Sequence, residues 1–84
     1  MLRSAMMRFY FDMQDVVFFR DEDGQDLLGP EEAEAEALRA LGEMARDRLR
    51  TNSKERTALT VSVRDADGFL LSAKLDVEIE RRRK

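Results

Sequence analysis

The chain has no cysteine and no histidine among its 84 residues. Those two absences exclude disulfides, Cys/His zinc sites, thiol nucleophiles and imidazole acid–base catalysis. Its four glycines are scattered, so there is no glycine-rich phosphate loop. Nowhere does an apolar run approach the ~20 residues of a membrane-spanning helix, and the opening Met1–Met7 lacks the apolar stretch of a secretory signal. The expected location is the cytoplasm, without membrane partners.

What is present is 43% hydrophobic and 39% charged residues, enough apolar material for a core and too much for a disordered chain. A domain of this size buries only about 60–65% of its unfolded surface, which leaves little room for a deep cleft in a monomer. The net charge is −3. Setting aside the basic tail Arg81, Arg82, Arg83 and Lys84 lowers Lys+Arg from 15 to 11 against 18 acids, so the body carries −7. Such a body repels a phosphate backbone.

Hydropathy patterning divides the chain. Met7, Phe9, Phe11 and Met13 alternate with Arg8, Tyr10 and Asp12, the period-two pattern of a half-buried strand. Val16 to Arg20 form a β-branched and aromatic run, apolar on both faces, and read as a second strand. Pro30 suits the first turn of a helix, and Glu31, Glu32, Glu34 and Glu36 sit where its dipole is positive. A helix is expected over about residues 30–50, with Ala33, Ala37, Leu41, Met44 and Ala45 on one stripe and arginines in its last turn. Leu59, Val61 and Val63 mark a third strand, and Leu71, Ala73, Leu75, Val77 and Ile79 a fourth. The expected fold is α+β, ββαββ, with one helix on one face of a four-stranded sheet. A helix joining strand two to strand three makes them parallel, so the expected spatial order is 2-1-4-3, a β-grasp-like arrangement, with a simple meander or a hairpin swapped between two chains as the alternatives. The domain is expected to span 7–80, with 1–6 an extension and 81–84 the tail.

Two acid-rich stretches end in glycine, "RDEDGQD" at 20–26 and "RDADG" at 64–68. A calcium loop of the EF-hand kind needs carboxylates at positions 1 and 12 around a glycine at 6. Placing Gly68 there puts Val63 and Lys74 at those ends, and placing Gly24 there puts Phe19 and Pro30, so both stretches read as turns rather than metal sites.

The pattern explains Val16, Val17, Phe18 and Phe19 least well. On a strand they point alternately to both faces, and one helix covers only one. Either the "QDLLGP" segment folds over the spare pair, or an edge strand carries an exposed apolar patch suited to self-association. "RFYF" at 8–11 sets a basic residue beside aromatics as in base-stacking sheets, but Phe9 and Phe11 have core parity and only Tyr10 remains to face solvent. Asp12, Asp76, Glu78 and Glu80 are the carboxylates that an outer sheet face could bring together for acid–base work.

Taken together, "RFYFD" at 8–12, "DEDG" at 21–24, "EEAEAEALRALGEMARD" at 31–47 and "VSVRDADG" at 61–68 resemble a family of short bacterial proteins known only as a domain of unknown function. That resemblance runs from about Met7 to Glu80 and implies a small α+β domain, with no catalytic residues to carry over. Arg8-Phe9-Tyr10-Phe11 exchanges the family's order of Tyr and Phe, and Val16 and Val17 are more apolar than its pattern.

The leading expectation is therefore a non-enzymatic interaction or regulatory module without cofactor, metal or catalytic residues, a homodimer or protein binder that self-associates through the strand-two edge Val16, Val17, Phe18 and Phe19. A second reading is a nucleic-acid accessory using Tyr10, Arg46, Arg48, Arg50, Lys54, Arg56, Arg81, Arg82, Arg83 and Lys84. A third is an enzyme working with carboxylates alone.

Overall fold

The computed structural model describes residues 5–51 and 56–82. Five strands and one helix follow in the order β1 (Met7–Gln14), β2 (Phe18–Phe19), β3 (Gln25–Leu27), α1 (Pro30–Thr51), β4 (Arg56–Asp65) and β5 (Gly68–Glu78). The α+β class agrees with the alternation and helical periodicity of the sequence.

The segment 18–27 is one edge strand broken in two. β2 pairs with the end of β1 through Met13↔Phe19 and Gln14↔Phe18, and β3 pairs with its start from Phe9↔Gln25 to Met7↔Leu27. Residues 10–12 of β1 thus face residues 20–24, five against three, and the surplus leaves the sheet as a loop. On its other side β1 pairs antiparallel with β4, from Tyr10↔Arg64 to Gln14↔Thr60. β5 then lies outside β4 as the second edge.

This corrects the expected topology in two respects. The sheet has five strands rather than four, because Gln25–Leu27 inside "QDLLGP" is itself a strand. Its order is β2-β1-β4-β5, so the strand after the helix, not the last strand, lies beside β1, and every neighbouring pair is antiparallel. Helix-side packing fits this order. β4 sets Leu59, Val61 and Val63 fully buried beneath the helix, whereas the helix-side residues of β5, Leu71, Ala73, Leu75 and Val77, stay partly exposed as an edge strand's do. The strands flanking the helix are parallel as expected, since β3 and β4 both run antiparallel to β1, but β1 lies between them.

Helix α1 starts where the Gly29 carbonyl accepts the Ala33 amide at 3.1 Å, and its acids Glu31 and Glu32 and its cations Arg48 and Arg50 complement the dipole. Its buried stripe is Ala33, Ala37, Ala40, Leu41 and Ala45, and the small side chains bring the helix close to the sheet. Beneath them lie Phe9, Phe11, Leu59, Val61 and Val63, with Met13, Met44 and Leu71 at the margin. Four of these, Phe9, Leu59, Val61 and Val63, are fully buried, each contributing about 1.5–3 kcal/mol relative to exposure.

Between β4 and β5 the chain turns through Ala66 and Asp67, with the Asp67 amide donating to the Asp65 side chain at 2.8 Å. Gly68 takes φ 109°, the positive value expected of glycine closing this hairpin. Beyond it Leu70 is an extra residue, since Arg64 opposes Phe69 while Val63 opposes Leu71.

Candidate interaction surface

The hairpin joining β1 to β2 is short and fixed from below. The Asp15 amide donates to the Val17 carbonyl at 3.1 Å, and the Asp15 carboxylate accepts the Val16 amide and forms an ion pair with Arg48. The C-terminal turn of α1 is thereby tied to the hairpin. Above this anchor Val16, Val17, Phe18 and Phe19 are between 52% and 69% exposed. "QDLLGP" does not fold over them, because Gln25–Leu27 pairs at the opposite end of β1 and Leu28 is itself exposed.

Register divides the two phenylalanines. Phe18 lies opposite Gln14 on the outer face, and Phe19 lies opposite Met13 on the helix side. Two shallow cavities, of about 350 and 380 Å³, meet at Met13 and Phe19. One reaches Phe11 and Ala40 with Arg20, Glu36 and Arg39 on its rim, and the other reaches Met44 between Asp15 and Arg48. Both have apolar floors and charged rims.

Next to this surface the acid loop 20–24 is held by a polar cluster on the outer face. Asp12, only 7% exposed, accepts Arg64 Nε at 2.9 Å, Arg64 Nη2 at 3.4 Å and the Asp21 amide at 2.8 Å. Asp21 in turn accepts the Phe11 amide at 3.0 Å and the Asp23 and Gly24 amides at 3.1 Å. Its carboxylate stands where a neighbouring strand's carbonyl would stand, so the Phe11 amide keeps a partner across the excursion. Burial alone would raise the carboxyl of Asp12, but the bonds from Arg64 and the Asp21 amide, with the charges of Arg64 and Arg20, outweigh it and hold the carboxyl below its ordinary value. For Asp21 burial is likewise outweighed, here by three backbone amides and the charge of Arg64.

Arg64 also donates to the Asp21 carbonyl at 2.8 Å and lies over the Tyr10 ring at 4.5 Å. Gly24 closes the loop at φ 76°, where a Cβ would stand 2.8 Å from Tyr10 Cε2. The first acid loop is therefore a turn in which Asp21 is held by backbone amides, Glu22 pairs with Arg20 and Asp26 pairs with Arg8. Among the described residues no group of three or more acidic side chains is placed to hold a metal.

The other sequence candidates do not converge. Tyr10 is half-buried beneath Arg64, Arg48 is paired with Asp15, and Arg56 donates to Asp76 at 3.2 and 2.6 Å. Arg46 and Arg50 are exposed on α1, and Arg81 and Arg82 are exposed beyond β5. Lys54, Arg83 and Lys84 lie outside the described residues. Of the carboxylates, Asp12 is bound to Arg64 on β4 and Asp76 to Arg56, with Glu78 and Glu80 exposed farther along the chain. What sequence reasoning missed was the unit of Asp12, Asp21, Gly24 and Arg64. Its signal was that "RFYFD", "DEDG" and "VRDADG" each supply one polar group to it.

Residues 8–75 match the family described as a domain of unknown function, DUF6894, and the chain belongs to that family. No curated protein and no solved structure matches the chain.

Proposed function

We propose that this member of the DUF6894 family is a non-enzymatic interaction module that docks protein through the edge formed by Val16, Val17, Phe18 and Phe19, with a second copy of the chain as the first candidate occupant. The observation that carries the reading is four consecutive large apolar side chains, all exposed, on a hairpin anchored to the helix by the Asp15–Arg48 ion pair. A scattered leucine on a surface needs no explanation, but four consecutive exposed apolar residues straddling one sheet edge do.

The magnitudes are suitable. Fully burying a Val or Phe contributes about 1.5–3 kcal/mol, and with 52–69% of each residue still exposed the four gross about 3–8 kcal/mol on each copy, against the roughly 4–15 kcal/mol that association costs. Side-chain burial rather than a long backbone ladder must supply the affinity, because β2 offers only two residues. The flanking charges on Asp15, Arg20 and Arg48 then act as a polar rim. None of the described helices is long and apolar enough to cross a membrane, and the cytoplasm is our proposed setting. The test is sedimentation velocity over a wide concentration range on the unmodified chain and on Phe18→Asp and Phe19→Asp. Association that weakens in both variants while circular dichroism stays unchanged supports the proposal; association indifferent to both removes self-pairing at this edge.

A further inference from the structure

The sheet has two edges, and only one of them is interrupted. β5 runs for 11 residues with no neighbour on its outer side among the described strands. An edge of that length presents a row of N–H and C=O groups able to take another strand. Its side chains sort by face, with Leu71, Ala73, Leu75 and Val77 on the helix side and Ser72, Lys74 and Asp76 on the outer side. The helix does not roof this edge. Leu38 of α1 is 55% exposed, and between α1 and β5 lies a cavity of about 360 Å³ lined by Glu34, Leu38, Leu41, Leu71, Ala73 and Lys74.

We propose that β5 pairs antiparallel with β5 of a second copy about a two-fold axis at Leu75, joining two sheets into one. This goes beyond the docking edge proposed above and does not rest on it. Two sheets joined in this way carry both helices on the same side, so directly opposed residues must share a face and the axis must pass through a residue. Centred on Leu75, the pairing sets Lys74 of each copy against Asp76 of the other, Ala73 against Val77 and Leu71 against Ile79. Ile79, 41% exposed in the single chain, then arrives at the cavity beside Leu71.

Neighbouring registers fail on charge. An axis through Lys74 sets that lysine against itself, one through Asp76 sets that aspartate against itself, and one through Val77 opposes Asp76 to Glu78. An axis through Ala73 makes no opposite-charge pair. Within its own chain Asp76 is held in place by Arg56 at 2.6 Å, while Lys74 has no ion-pair partner among the described residues. A carboxylate has acceptor capacity for both cations.

The chain's lack of cysteine makes the test direct. Opposed Cα atoms at the axis lie about 4.5–5.5 Å apart, within reach of a disulfide. Under mild oxidation Leu75→Cys is expected to cross-link to itself, whereas Ala73→Cys and Val77→Cys each stay uncrosslinked alone and cross-link when mixed. Sedimentation equilibrium should show Lys74→Glu weakening association about tenfold, through two like-charge pairs, and the exchange Lys74→Glu with Asp76→Lys recovering it. Equal cross-linking at all three positions, or association unchanged in Lys74→Glu, overturns the proposal. Dimers that survive Phe18→Asp but not Lys74→Glu support this edge alone, and the reverse supports only the Val16–Phe19 edge. Species larger than dimers, reduced to dimers by either change, show both in use.

Discussion

Replacing Asp12 with alanine should be among the most damaging changes outside the apolar core. It removes a carboxylate that accepts Arg64 at 2.9 Å and the Asp21 amide at 2.8 Å. Hydrogen bonds to a charged group contribute about 1.5–3 kcal/mol each, and an amide left without a partner costs about 1–3 kcal/mol. The Arg64 side chain keeps 22% exposure and its bond to the Asp21 carbonyl, so part of its charge is satisfied without Asp12. We expect a loss of about 2–4 kcal/mol. A domain of this length has roughly 4–13 kcal/mol in all, and at about 4–8 °C per kcal/mol the melting temperature should fall by about 10–25 °C. Urea unfolding followed by circular dichroism measures the loss, with an unchanged slope showing that the denatured state is unaltered. Asp12→Asn keeps an acceptor oxygen and should lose about half as much. A cost below about 0.5 kcal/mol, the range of an ordinary surface substitution, would refute the claim that this cluster anchors the loop.

Acid should act through the same groups. The carboxyls of Asp12 and Asp21 are held below their ordinary value of 3.8, so their contribution is complete above that pH and is lost as pH falls through the lowered values. Melting temperatures should therefore fall below about pH 4, with a shallower acid limb in Asp12→Asn. Gly24→Ala should cost about 1–3 kcal/mol in the same urea assay, because its φ of 76° and the Tyr10 ring at 2.8 Å both oppose a Cβ. Gly68→Ala, with φ 109° but open space around it, should cost less. Phe18→Asp should leave monomer stability within about 0.5 kcal/mol of the original and reduce binding of a hydrophobic dye, since the ring it removes is already 52% exposed.

Much of this fold is legible because local periodicity and packing agree. The alanine stripe of residues 33–45 is buried as its spacing requires, and Phe9, Phe11, Leu59, Val61 and Val63 are buried on the parity that alternation assigns. Strand order is a different kind of fact. Period two says which face a residue takes and nothing about which neighbour it meets, so the crossover argument that set the last strand beside β1 had no local pattern to correct it. The brief β3 was hidden because Gln25–Leu27 is too short to show a period. At the surface, four consecutive apolar residues were visible as an anomaly. The cluster of Asp12, Asp21 and Arg64 was not, because nothing local joins residues 43 to 52 positions apart.

That separation bears on how the chain acquires its shape. During synthesis at ~5–20 residues per second, Asp12 and Asp21 leave the ribosome roughly 2–10 s before Arg64 can reach them. Closing so long a loop carries an entropic cost that must be met by β4 docking against β1. Until then the five-residue excursion has no arginine beneath it and the broken edge is not yet set in register. The 20–24 loop is thus finished late in folding although it is made early, because its latch arrives with β4, the strand that also brings Leu59, Val61 and Val63 to the core.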